Sequence, residues 1–450
     1  MAIQRFDLIV IGTGSAASAV VYPCQSAGWT VAVIDSRPYG GTCALRGCDP
    51  KKVLVGAAEL VDWTDRMQGK GVRSNGVGID WAELVRFKRT FTDPVPRQRE
   101  EHLATASITA FHGRAQFAGP TAVQVEAELL EGRYVAVATG ARPMKLSIPG
   151  EEYLTTSEQF LDLDELPTRI IFVGGGYISF ELAHVAARAG AQVTILHRGR
   201  RPLVHFDSDL VERLVQRSRD VGVDVRLQTE VNGIERHSGG LSVRTTRDGE
   251  TETYEAEIVV HGAGRVPEID ALDLAAAGVR FGTRGVEVNQ YLQSVSNPGV
   301  YAAGDAAAGG PPLTPVAGYE GKVVAENLLN GNRRTTDYRA VPSVVFTIPP
   351  LAAVGLSEQE AREQGRRFRI HHENTADWYS SRRIGETCSG FKILIEEGSQ
   401  QILGAHLLGP HMDEVINLFA LAIKHQLKVP DLAEMMYAYP THGSDIDYMI

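Results

Sequence analysis

The chain has 450 residues, more than one hydrophobic core usually serves, so roughly two to four domains are expected. Hydrophobic residues make up 43% and charged residues 22% of it, and the net charge of −10 excludes a basic nucleic-acid footprint and attraction to an anionic membrane surface. Small-molecule partners are therefore expected, with no nucleic acid and no membrane. Four cysteines, Cys24, Cys43, Cys48 and Cys388, do not make a disulfide-stapled secreted scaffold. The opening "MAIQRFDLIVIGTGS" holds an apolar run too short for a signal peptide or a membrane span, which points to a cytoplasmic location.

In chain order, "FDLIVIG", "TGSAASAVVYPCQSAG" and "TVAVID" read as strand, glycine turn with helix, and strand. Gly12, Gly14 and Ala17 fill the three positions of G-x-G-x-x-G/A: a tight turn, close approach to a pyrophosphate, and close helix packing. Asp35 ends the next strand, where a carboxylate accepts from a ribose hydroxyl. "GGTCALRGCDPKK" then sets Cys43 and Cys48 in a glycine-rich frame. A zinc site needs about four ligands; the other two cysteines are single, so no metal site is expected. A redox pair and two inert buried thiols both remain open at this point.

Pro143, Pro149 and Gly150 punctuate a crossing into a second unit of the same grammar, "RIIFVGGG", "YISFELAHVAARAG" and "AQVTILH". Gly174 and Gly176 lead this loop, with Ser179 third. His197 stands where a ribose acid is expected, and Arg198, Arg200 and Arg201 follow. Guanidinium groups bind a 2′-phosphate that an acid would repel, so NADPH is favoured over NADH. "EIVVHGAGRVPEID" echoes "RYVAVATGARPMKL"; "GVYAAGDAA" is a strand ending at Gly304 and Asp305; "TPVAGYEGKVVAENLLNG" is a helix stopped by Gly331. The last region mixes strands with a helix over "DEVINLFALAIKHQL", whose Val415, Leu418, Phe419, Ala422 and Ile423 share one face. The fold class is α/β: two Rossmann-like dinucleotide-binding domains and an α+β C-terminal domain. Expected boundaries are 1–147 and 264–338 for the first domain, 148–263 for the second and 339–450 for the third.

"GGTCALRGCDPKK" resembles the G-G-T-C-x-x-x-G-C-x-P-x-K motif of the flavin disulfide reductases, the family of glutathione reductase, dihydrolipoamide dehydrogenase and mercuric reductase. "ATGARP", "GAGRVP", "YAAGDAA", "VFTIPPLAAVGLSE" and "ILGAHLLGP" resemble further motifs of that family, in the same order over essentially the whole chain. The resemblance implies FAD in the first domain, NADPH in the second, and a homodimer in which the C-terminal domain completes the partner's active site. By matched position Gly12, Gly14, Asp35, Thr42 and Asp305 would hold FAD, with further cofactor contacts at Thr139, Gly140, Gly264 and Gly304. Lys52 and Glu181 match the lysine–glutamate pair beside the flavin ring, and Tyr177 the aromatic that covers it. Electrons would pass from NADPH through FAD to a Cys43–Cys48 disulfide. Cys48 is then the flavin-side sulfur, and Cys43 attacks the substrate. The attacking thiol needs a positive setting or a base to ionise near neutral pH, and Arg46 is a candidate for the first.

Disulfide reductases of the family end with H-P-T-x-x-E; the matching stretch is "YPTHGS", Tyr439 to Ser444. A phenol can donate a hydrogen bond to a leaving thiolate but is no general base at pH 7. Mercuric reductases resemble this chain in carrying tyrosine there, yet they add a C-terminal cysteine pair that "DIDYMI" lacks. His442, oriented by Asp445, is the other candidate acid. The sequence thus implies an FAD enzyme that uses NADPH to reduce a disulfide or another thiol-reactive acceptor. The alternatives are a mercuric-reductase-like metal ion or quinone reductase, and a low-turnover nucleotide-binding regulatory protein.

Overall fold

A computed structural model describes residues 3–74 and 76–450. The chain divides into two units: residues up to Pro50 with Phe87–Met144 and Arg265–Tyr338, and Lys51–Arg86 with Lys145–Gly264 and Arg339–Ile450. Residues 51–86 group with the second unit in this division.

In the first unit, β1 (Ile3–Ile11) and β2 (Val31–Asp35) flank helix α1 (Ser15–Ser26) and pair in parallel. They belong to a seven-stranded sheet: Thr109–His112, β2, β1 and Glu128–Val137 run parallel, Ala122–Val125 and Ala115–Phe117 continue antiparallel, and Val300–Ala302 joins Glu128–Val137 in parallel. The strand residues Leu8 to Val10 and Ala32 to Ile34 are almost wholly inaccessible, because both faces of this sheet are covered. The helix Thr314–Asn330 packs on α1, and it does so at backbone distance. A Cβ on Gly321 would lie 2.4 Å from the Ala16 carbonyl oxygen and 2.7 Å from Ala19 Cβ. Gly331, at φ +73°, ends the helix where the sequence places the stop.

In the second unit, Val223–Leu227, Gln192–His197, Arg169–Val173, Ile258–His261 and Leu154–Thr155 form a five-stranded parallel sheet. A three-stranded antiparallel sheet follows over Thr229–His237, Gly240–Arg247 and Glu250–Ala256. The C-terminal region is a five-stranded antiparallel sheet ordered Ser343–Val345, Leu351–Gly355, Ile402–Leu408, Gly390–Glu396 and Phe368–Asn374. The helix Met412–Lys424 covers it with Met412, Val415, Ile416, Phe419 and Ala422. Leu418, assigned to that face from sequence, is 36% exposed. The buried stripe runs through Met412, Val415, Ile416, Phe419 and Ala422, at the three- and four-residue spacing of one helix face.

Alanine normally stabilises a helix by about 1 kcal/mol over glycine. Gly321→Ala should do the opposite, losing about 1–3 kcal/mol by overpacking against α1. Urea unfolding reads the sign; an unchanged or raised midpoint would contradict the close helix crossing.

Candidate active site

Both glycine loops have the geometry their motifs require. Gly12 sits at φ +115°, and a Cβ there would meet the Ala138 carbonyl oxygen at 2.2 Å; Gly174 sits at φ +111°, with Gly262 O at 2.4 Å. Ala17, at the third position, is buried against the core, as is Ser179 in the second loop. The Asp35 carboxylate accepts from Thr13 Oγ1 at 2.6 Å and from the Arg37 amide at 3.0 Å, which leaves each oxygen a lone pair for a ribose hydroxyl. Thr139 Oγ1 is buried without a hydrogen-bond partner beside Gly140, whose φ is +73°. Asp305, on a short turn Gly304–Ala306, is pushed above the usual carboxylate range by burial, with Arg265 opposing. An orphaned hydroxyl, a glycine cradle and a half-satisfied acid in one unit fit a bound dinucleotide. Gly12, Gly14, Asp35, Thr42, Thr139 and Asp305 are the residues that would hold it.

The cysteines lie on two successive helices. Cys43 lies in α2 (Gly41–Arg46), and Cys48 is the first residue of α3 (Cys48–Arg66). Gly41, at φ +73°, places its own Cα so near Gly14 that a Cβ would come within 2.5 Å of Gly14 Cα, so no other residue fits. The two thiols hydrogen-bond each other, and this together with burial pushes the Cys43 thiol up. Asp49 Oδ1 stands 3.8 Å from Cys43 Sγ and pushes the same way. The largest influences on the Cys43 thiol are thus Cys48, burial, the Thr314 hydroxyl, which lowers it, and Asp49, and none of these is a cation. Cys48 is the better placed anion. It sits at a helix N-terminus, and 3.4 Å from Thr314 Oγ1, the first residue of the Thr314–Asn330 helix, whose hydroxyl also bonds Cys43 and opposes the upward push there. Thr314 was missed in the sequence reading. Its signal was a threonine–proline helix start, which marks where a chain turns but not what it turns toward.

The lysine assignment is corrected. Glu181, 3% exposed on the helix Tyr177–Arg188, takes Lys51 Nζ at 2.8 Å and the Phe346 amide at 2.8 Å. Lys52 points elsewhere, to Asp413 at 3.4 Å and Glu59 at 3.8 Å. The helix decides this. On α3 the two adjacent lysines point about 100° apart, so only one of them meets Glu181. Both ammonium groups lie over the Phe346 ring, at 4.1 and 4.3 Å.

On the second glycine loop, Tyr177 follows Gly176 and is 47% exposed. His197 does not wait for a ligand; its Nε2–H donates to the Arg201 carbonyl at 3.0 Å. Arg201 turns back on Val204 O, while Arg198 and Arg200 are exposed. Gly264 holds φ +124° after Ile258–His261. Near the C-terminus the two candidate acids differ sharply: Tyr439 is 77% exposed and His442 only 7%. Burial, with His411 and Arg383, pushes the imidazole of His442 down to about 4, and Asp445 Oδ2 stands 4.0 Å from its Nδ1. A neutral, enclosed imidazole is no proton donor at pH 7, which counts against the His442 assignment.

The fold agrees with comparisons that cover essentially the whole chain. Residues 6–321 match the family described as pyridine nucleotide-disulphide oxidoreductase, and residues 341–450 match its dimerisation domain. The chain belongs to the pyridine nucleotide-disulphide oxidoreductase family. It is 32% identical to a glutathione reductase of Burkholderia cepacia over 97% of this chain and 96% of that one. It is 31% identical to a dihydrolipoyl dehydrogenase of Chlamydia muridarum (97% and 94%) and 30% identical to a mercuric reductase of Staphylococcus aureus (97% and 80%). Among solved structures it is similar to the Cu(II) complex of the HOCl-induced flavoprotein disulfide reductase RclA from Escherichia coli, with TM-score 0.88, 26% identity and 99% of each chain covered. The family is FAD-dependent and uses a pyridine nucleotide. No helix among the described residues is long and apolar enough to cross a membrane, and no group of three metal-ligating side chains is present among them.

Two outcomes follow from this geometry. Lys51→Met leaves Glu181 buried without its cation and should cost about 3–5 kcal/mol in urea unfolding. Lys52→Met removes only a partly exposed pair and should cost less than about 1 kcal/mol; equal costs would undo the assignment. For His442, the unfolded chain gains a proton below pH 6.5 and the folded one only near pH 4, so stability falls as pH drops through that window. Between pH 7 and pH 4 the native protein should lose about 3 kcal/mol more than His442→Asn. Equal pH slopes would show that the imidazole is not held neutral.

Proposed function

We propose that this protein is an FAD enzyme that takes two electrons from NADPH and uses the Cys43–Cys48 dithiol to reduce a disulfide, or another thiol-reactive acceptor, as a homodimer in a reducing, cytoplasmic setting. The observation that carries this reading is the paired thiols, hydrogen-bonded to each other, with the Thr314 hydroxyl facing both of them. FAD, when bound, supplies the relay between a hydride donor and a sulfur pair. The exposed Arg198 and Arg200 support the phosphorylated nucleotide, since they follow directly on His197, which stands where an acid would reject it.

The chain's own steps balance as thiol exchange. Cys43 Sγ, once its proton has passed to Cys48 or solvent, attacks one substrate sulfur; the Cys43–substrate bond forms, the substrate S–S bond breaks and one thiolate leaves. Cys48 then attacks Cys43 Sγ, releasing the second thiolate and forming the Cys43–Cys48 disulfide. Two electrons from NADPH reopen it. Lys51, paired with Glu181 one helical turn after Cys48, and the Thr314 hydroxyl favour negative charge on this path.

Each leaving thiolate wants a proton, and the acids here are weak. Tyr439 is exposed and His442 is buried and neutral. The acceptors that suit such a site are disulfides whose thiols are acidic enough to leave unprotonated. The same feature favours a second reading, a soft metal ion that needs no proton, in keeping with the Cu(II) complex of the RclA structure.

A turnover panel tests this. The FAD-loaded enzyme with NADPH should reduce an aromatic disulfide with kcat/KM about 10²-fold or more above that for glutathione disulfide, and Tyr439→Phe should reduce the latter by less than about tenfold. Fast turnover of glutathione disulfide that His442→Ala abolishes would contradict the proposal. Turnover of Cu(II) or Hg(II) above every disulfide would move the assignment to the second reading.

A further inference from the structure

The strand Gln192–His197 delivers its last side chain into a gap that two glycines create. A Cβ on Gly175 would lie 2.6 Å from His197 Cγ, 2.7 Å from Nδ1 and 2.9 Å from Cδ2. A Cβ on Gly199 would lie 2.7 Å from His197 Nε2 and 3.3 Å from Cε1. In both cases the nearest atoms all belong to this one imidazole. Neither glycine has a left-handed φ, so the backbone at 175 and 199 would accept alanine if the ring were gone.

The ring therefore sits between the phosphate-binding turn and the arginine-bearing loop after the strand. Other bonds tie the same pieces: Leu203 N–H donates to Gly175 O at 2.8 Å, Gly174 N–H to Leu196 O at 2.9 Å, and Gln228 N–H to Gly199 O at 3.0 Å. His197 Nε2–H closes the loop on the Arg201 carbonyl at 3.0 Å. Because that carbonyl can only accept, Nδ1 is the unprotonated nitrogen of the ring. Burial holds the imidazole below its ordinary titration range, so its contribution at neutral pH is shape.

We propose that His197, packed between Gly175 and Gly199, is the positioning residue that selects a 2′-phosphorylated adenine dinucleotide. It fills the place from which a carboxylate would accept ribose hydroxyls, and it fixes the loop that carries Arg198 and Arg200 against the phosphate-binding turn. Gly175 is glycine for the sake of this ring, beyond any need of the pyrophosphate. The proposal rests on the NADPH reading above.

The test is a mutant cycle read by calorimetry with adenosine 2′,5′-bisphosphate and with ADP, on FAD-loaded protein. His197→Ala should weaken the bisphosphate about tenfold and narrow its advantage over ADP, and should raise KM for NADPH about tenfold with kcat within about twofold. Gly175→Ala alone should weaken binding at least about tenfold, yet cost less than about twofold in the His197→Ala background. His197→Glu should turn the preference toward ADP. If Gly175→Ala does not fold, recovery of native circular dichroism in Gly175→Ala/His197→Ala gives the same answer. Additive costs in the cycle, or an unmoved preference in His197→Glu, would overturn the proposal. A wild-type protein that binds ADP as tightly as the bisphosphate would instead refute the NADPH reading, and the coupling of positions 175 and 197 would still be read on ADP.

Discussion

Around the cysteines, backbone meets backbone because side chains are missing. Gly12 lies against the Ala138 carbonyl, Gly41 against Gly14, and Gly321 against Ala16. Each contact is closer than any Cβ allows, so each removes a degree of freedom that longer side chains would leave open. Together they fix α1, α2 and the Thr314–Asn330 helix against the sheet edge. The position of Thr314 Oγ1 near Cys48 follows from that packing rather than from a dedicated tether. The sulfur pair inherits its precision from the glycines.

The dithiol that results is asymmetric. Both sulfurs meet the Thr314 hydroxyl, but Cys48 has a helix start, whereas Cys43 has burial and Asp49. The first arrangement stabilises an anion and the second keeps a proton in place. One sulfur is thus suited to hold charge and the other to meet an acceptor, a division of labour set by local electrostatics. The same logic bears on the far end of the chain, where enclosure of His442 removes the proton donor that an exposed imidazole would be.

Much of this was legible from residue order. Strand-turn-helix periodicity and glycine spacing located both dinucleotide units, and the Gly331 stop and the C-terminal helix fell where patterning put them. Two things were not legible. Motif alignment chose Lys52 over Lys51, but which of two adjacent lysines meets Glu181 depends on helical phase, one residue being about 100° of rotation. Motif spacing likewise offered His197 as a ligand position. That its ring is spent on Gly175 and Gly199 is a matter of three-dimensional packing, which sequence separation does not encode.

The most direct measurement of the central claim is a thiol count. Air-oxidised, FAD-loaded protein is treated anaerobically with one equivalent of NADPH, alkylated under denaturing conditions and mapped by mass spectrometry. The account predicts two newly alkylated residues per chain, Cys43 and Cys48, with Cys24 and Cys388 labelled equally before and after. No new labelling, or new labelling at Cys24 or Cys388, would contradict it.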